Sequence, residues 1–156
     1  MDKLWFRECT TGRRFIIKVE PGADLPAVLV DFARDRGLPF ASLVSAVGSV
    51  RDVELWNIQA GAHLPMTEAR FKSTRLEGPL ELMGLEGNIA PGPGHELAGQ
   101  FYLLASKSGG DVVGGRLVAA TVFTACEIVL AEYLVEGVER HRSATSGVDT
   151  IYIEEG

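Results

Sequence analysis

The sequence predicts an α+β fold, mostly antiparallel β-sheet with one main helix over about residues 24–36. Three observations carry it. Only one stretch has helical spacing of its apolar residues. The rest is rich in β-branched residues. Eighteen glycines and seven prolines supply many turns.

The helix is the best-defined element. Leu25, Val28, Leu29, Phe32 and Ala33 recur on one helical face, with Asp31, Arg34, Asp35 and Arg36 on the wet side. Asp24 is placed to cap it, and Pro26 falls in the first turn, where its missing N–H costs nothing. Gly37 and Pro39 end it.

Strands are expected on both sides of the helix. Arg14–Glu20 precedes it, closed by Pro21 and Gly22. Ala41–Val47 and Val53–Ile58 follow, then a loop over 59–67 and strands over 70–76 and 80–85. The Pro/Gly-rich stretch from Ile89 to Gly94 reads as a loop, and Phe101–Ser106 as a strand. The long run from Val112 is β-branched, with Gly114 and Gly115 marking a bulge or a tight contact. Residues 127–134 read as a further strand or a late helix, the basic stretch around Arg140 as a polar tail, and Ile151–Ile153 as a terminal strand.

At 156 residues the chain reads as one domain, 1–156, large enough to bury a core without staples. Cys9 and Cys126 are too few for a disulfide framework, no signal peptide opens the chain, and the apolar run from Val112 to Val135 holds Arg116, Glu127 and Glu132. A reducing cytoplasm and no membrane partner are expected. The net charge of −6 opposes unaided DNA binding, because phosphate contacts supply most of such affinity. Arg13–Arg14 and Arg140–His141–Arg142 are the basic clusters.

No motif completes a catalytic or metal site. Gly92–Pro93–Gly94 and Gly114–Gly115 lack the spacing of a phosphate loop and read as turns or close contacts. His63, His95 and His141 are far apart and read as surface residues. Cys126 sits in an apolar run and reads as a buried thiol. Glu81 and Glu127 are single carboxylates among apolar neighbours, either solvent-facing, paired, or a general base.

An ordered series of short motifs resembles the PPC domain, named for plants and prokaryotes. The series runs Gly22–Leu25 with Phe32–Ala33, Ala46–Val50, Glu77–Leu82 with Leu85–Ile89, Val113–Leu117 and Thr124–Glu127, matching in order from roughly Phe15 to Leu134. The resemblance implies a PPC-like α+β fold and a homotrimer. In plants the domain accompanies an AT-hook and works in transcription through protein contacts; nothing here resembles the Arg-Gly-Arg-Pro core of that hook. Prokaryotic members are often labelled DNA-binding without an established activity.

Many prokaryotic relatives carry a His-x-His pair before the Gly-Gly motif and a third histidine just after it, which together look like a metal site. By the same resemblance those places fall on Gln100, Tyr102 and Arg116. All three imidazoles are missing, and arginine has no lone pair to give a cation, so no metal and no cofactor are expected. Arg116 can grip a carboxylate or phosphate instead; the alternative is a structural salt bridge to Glu81 or Glu127. The expected function is a homotrimeric protein-interaction or small-anion-binding module linked to transcription, with Arg116, Tyr102, Gln100 and Glu127 at the site. The rivals are a DNA-binding regulator, and an enzyme acting on a small anion through Arg116, Tyr102 and a carboxylate such as Glu127. No nucleophile–base pair supports the enzyme.

Overall fold

The computed structural model describes residues 3–154. A six-stranded antiparallel sheet runs in the order β1-β6-β5-β4-β2-β3, and β6 also pairs with β2. These strands are β1 (Thr10–Val19), β2 (Ala41–Ile58), β3 (Phe71–Leu76), β4 (Leu80–Pro91), β5 (Leu97–Ser106) and β6 (Val112–Leu134). Because β6 pairs with both β5 and β2, and β4 with both β5 and β2, the pairings close a ring of four strands. Inward-facing Leu55, Leu103, Leu117, Val122 and Ile128 fill it. A separate hairpin joins β7 (Val138–Arg142) to β8 (Asp149–Ile153).

Helix α1 (Leu25–Asp35) forms where its periodicity places it. Asp24 Oδ1 accepts from the Ala27 N–H at 3.1 Å, satisfying a donor the first turn leaves free. At the other end Gly37 takes a positive φ, and the Gly37 and Leu38 N–H groups donate back to Arg34 and Ala33. Leu38, buried just beyond the end, completes this Schellman arrangement. Leu25, Leu29 and Ala33 face the core, and Phe32 meets Phe15 of β1 edge to face at 5.1 Å.

The structure corrects several boundaries. The two strands expected over 41–47 and 53–58 are one, β2, whose register shifts near Gly48 and Asp52. Gly48 is required there. Its φ is +147°, and an added Cβ would sit 2.2 Å from the Ala125 carbonyl oxygen. The loop expected from Ile89 begins later, since β4 continues to Pro91, with Ile89 and Ala90 buried. Residues 127–134 continue β6 as strand, flanked by β1 on one edge and β2 on the other. The basic stretch is no tail: it is β7, and Arg140 within it is buried. The polar composition hid that strand, because its pairing partner β8 is supplied from beyond a turn.

Gly114 and Gly115 mark close contacts. A Cβ at Gly114 would lie 2.7 Å from the Leu104 side chain, and one at Gly115 2.7 Å from Asn57 Oδ1. Asn57 uses that space to donate to the Gly114 carbonyl at 3.1 Å. Cys126 is buried, and burial pushes its thiol up from the ordinary value.

Candidate anion site beside Arg116

Strand pairing assembles the site. Tyr102 of β5 stands opposite Arg116 of β6 and Glu86 of β4, and Arg116 in turn stands opposite Trp56 of β2. Direct cross-strand partners share a face, so Glu86, Tyr102, Arg116 and Trp56 form one row across four strands. It is the outer face, because the alternate residues Phe101, Leu103, Leu117 and Leu55 are in the core. Gln100 occupies the next row, opposite Asn88, and donates to the Tyr102 hydroxyl at 3.2 Å.

The hairpin closes over this face. Arg140 of β7, only 6% exposed, donates to the Ala98 carbonyl at 3.2 Å and to the Asn88 side chain. Burial, first, and then the charge of Arg116 push its guanidinium down from the ordinary value; Asp149 and Tyr102 pull the other way. Arg140 Nε has no hydrogen-bond partner. The next arginine, Arg142, pairs with Asp149 at 3.3 Å. A cavity of about 490 Å³ opens beside Arg116, with Trp56, Phe71, Glu68, Arg142 and Asp149 among its walls.

Gln100, Tyr102 and Arg116 are therefore brought together. Glu127 is not: it lies eleven positions along β6 from Arg116 (127 − 116 = 11), exposed, in register with Lys18 and Val47. The salt bridge weighed for Arg116 does not form either. Among the described residues neither Glu81 nor Glu127 pairs with it, and both are exposed. Of the histidines, His141 is half-buried on β7, bonded to Glu139 at 2.9 Å and edge-on to Tyr152.

The sequence reading missed Trp56 and Glu68 as cavity walls and Arg140 as a buried residue beneath the hairpin. Trp56 carried a legible signal. Val53 and Leu55 set the inward phase of that strand, which leaves a large aromatic on the outward phase. Arg140 carried a weaker one, alternating with Val138 and Arg142 at strand spacing. Glu68 lies in a short turn before β3 and carried none.

The donor set does not fit a metal cation. Gln100 and Tyr102 offer neutral oxygens, while Arg116 and Arg140 bring positive charge and no lone pair. No group of three or more His, Cys, Asp or Glu side chains suited to a metal occurs among the described residues. The guanidinium of Arg116, with no salt bridge among the described residues, suits an anion, while Asp149 and Glu68 bring negative charge to the same cavity. Among the described residues no helix is long and apolar enough to cross a membrane.

Over 119 residues the chain is 29% identical to AT-hook motif nuclear-localized protein 27 of Arabidopsis thaliana, which is 76% of this chain but 38% of the plant protein. The chain thus spans well under half the length of that relative. A solved structure described as a metal-containing protein from Archaeoglobus fulgidus superposes with a TM-score of 0.81 at 26% identity, covering 94% of this chain and 98% of that one. A plant- and prokaryote-conserved (PPC) protein from Pyrococcus horikoshii gives 0.79 at 23% identity over 97% and 98% of the two chains, and shows the same fold. Residues 6–134 match the Plants and Prokaryotes Conserved (PCC) domain, and the chain belongs to that family.

Proposed function

We propose that the chain is a small-anion-binding module of the PCC family, acting as a homotrimer in a reducing cytoplasm and linked to transcription through protein contacts. The observation that carries the anion reading is Arg116. It is half-buried, faces a cavity and forms no salt bridge among the described residues, although Glu68 and Asp149 line the same cavity. Tyr102 and Gln100 flank it as neutral hydrogen-bonding groups.

Self-association is supported by apolar side chains left on the outside. Ile16 is 91% exposed, and Val44, Val47, Met83 and Leu104 are each more than half exposed. Apolar surface of this kind needs cover, and a second and third copy of the chain would provide it. Direct DNA binding is disfavoured by how the arginines are spent: Arg13 on Glu132, Arg140 beneath the hairpin and Arg142 on Asp149. Affinity for duplex DNA no tighter than about 10⁻⁶ M at physiological salt is expected, the non-specific regime.

The test is Arg116→Ala. The variant should lose binding of small carboxylates or phosphates while light scattering still reports a trimer. A variant that unfolds, together with a wild type that binds no anion, would make Arg116 architecture. A stable wild-type monomer at micromolar concentration would overturn the assembly.

A further inference from the structure

The described segment ahead of β1, residues 3–9, forms no strand or helix. It carries Leu4, Trp5 and Phe6 in a row, exposed by 56%, 59% and 70%. Three consecutive large apolar side chains are a poor surface in water, and a folded chain keeps such a run where something covers it. The arm is held at its root. The Arg7 guanidinium donates to the Glu154 carbonyl, and Trp5 meets Tyr152 edge to face with ring centroids 6.5 Å apart. Tyr152 is itself 41% exposed, so this contact leaves the aromatic run uncovered.

An apolar cavity of about 450 Å³ lies between hairpin β7–β8 and the main sheet. Val138, Ile151 and Ile153 line it from the hairpin, and Phe40 and Tyr133 from the start of β2 and the end of β6. Successive strand residues point to opposite faces, so Tyr152 turns away from the cavity that Ile151 and Ile153 line. Contact with Tyr152 therefore carries the chain's own arm along the far face of the hairpin. Arg7 and Cys9, at the root of the arm, border the cavity, but Leu4, Trp5 and Phe6 are not among its walls. One molecule thus holds an uncovered aromatic run and an apolar pocket that this run does not enter.

Resting on the self-association reading above, we propose that this cavity receives the Leu4–Trp5–Phe6 arm of a neighbouring copy of the chain. Each copy gives an arm and takes one, through two different patches. Such a head-to-tail contact closes into a ring when the rotation between copies allows it, as in a trimer. Trp5 is the anchor, since buried aromatics dominate the energetics of interfaces. Ser42, also on the cavity wall, offers a hydroxyl to the indole N–H. The pocket is continuous with apolar surface of the kind that supports self-association. Ser42 and Val44 share the outward phase of β2, because Ala41 and Leu43 are buried, and Val44 is 60% exposed. A small apolar molecule would fill the pocket and leave the arm in water, whereas a second copy covers both.

The experiment uses the full chain in a Cys9→Ser background, where the remaining Cys126 is buried. Two variants are co-expressed, one with Trp5→Cys and the other with Val138→Cys, and the product is oxidised. A disulfide joining the two variants is expected, because neither carries both new thiols. Separately, Trp5→Ser should need roughly tenfold more protein to stay trimeric in light scattering, the loss of one interface anchor. A trimeric wild type whose two variants do not cross-link, or a Trp5→Ser that assembles as the wild type does, overturns the arm contact and leaves self-association standing. A wild type that is monomeric at micromolar concentration, with no cross-link, overturns both. If the assembled wild type binds the apolar dye anilinonaphthalene sulfonate and Val138→Arg abolishes that binding, the pocket is open in the assembly and belongs to a small apolar ligand, and the proposal falls.

Discussion

Two charged residues are buried in the described structure, Glu132 at 4% exposure and Arg140 at 6%, and they are held in opposite ways. Glu132 is fully answered. Arg13 reaches it through its backbone N–H at 2.9 Å and its guanidinium at 3.0 Å on both carboxylate oxygens. Gly12 leaves the space, since a Cβ there would sit 2.5 Å from Glu132 Oε1. Arg140 has two acceptors, no carboxylate in salt-bridge contact, an orphaned Nε and a like charge nearby. Burial of a charge is tolerated where partners are supplied. The first region supplies them from within the chain, which makes it architecture. The second leaves one donor unanswered.

The largest expected effect tests the first half of this contrast. Gly12→Ala should push the Glu132 carboxylate off Arg13 and lower the urea midpoint more than any other substitution named here. A midpoint equal to that of the wild type would show that the pair contributes little.

Arg140→Met should change stability by about 1 kcal/mol or less. Removing a poorly paired buried charge offsets the two hydrogen bonds lost with it. A loss from Arg140→Met as large as that from Gly12→Ala would erase the distinction between the two regions.

Acid separates them further. Arg13, through its side-chain hydrogen bonds first and its backbone N–H next, holds the Glu132 carboxyl below its ordinary value of 4.5. A carboxylate depressed in the folded state contributes stability that is present above the unfolded pKa and lost as pH falls through the folded one. The gap between wild type and Gly12→Ala in chemical unfolding should therefore narrow as pH drops below about 4.5, whereas the Arg140 guanidinium itself stays charged throughout. A gap independent of pH would show that Gly12→Ala acts by crowding alone.

The smallest expected signal is elemental. Protein purified without chelator should carry well under one zinc per chain, because Gln100, Tyr102 and Arg116 form no donor set for a cation. Stoichiometric metal held by those three residues would reverse the sign assigned to the site.

Local information settled the helix and its ends. The i, i+3, i+4 spacing of Leu25, Val28, Leu29, Phe32 and Ala33, the cap at Asp24 and the turn at Gly37 all act within one stretch of chain, so the sequence by itself determined them. It also determined the alternation that puts Val53 and Leu55 inward, and it placed Tyr102 and Arg116 at related positions through the family resemblance. Only the tertiary structure decided which distant residues face one another. Trp56 meets Arg116 because β2 and β6 pair across a register that shifts near Gly48 and Asp52. Arg140 is buried because its hairpin folds back over Asn88 and Ala98. Glu127 is removed from the site because β6 is long, carrying it to the part of the strand that pairs with β1. Pairing register, burial and unmet hydrogen bonds are properties of contacts far apart along the chain, and no local pattern encodes them.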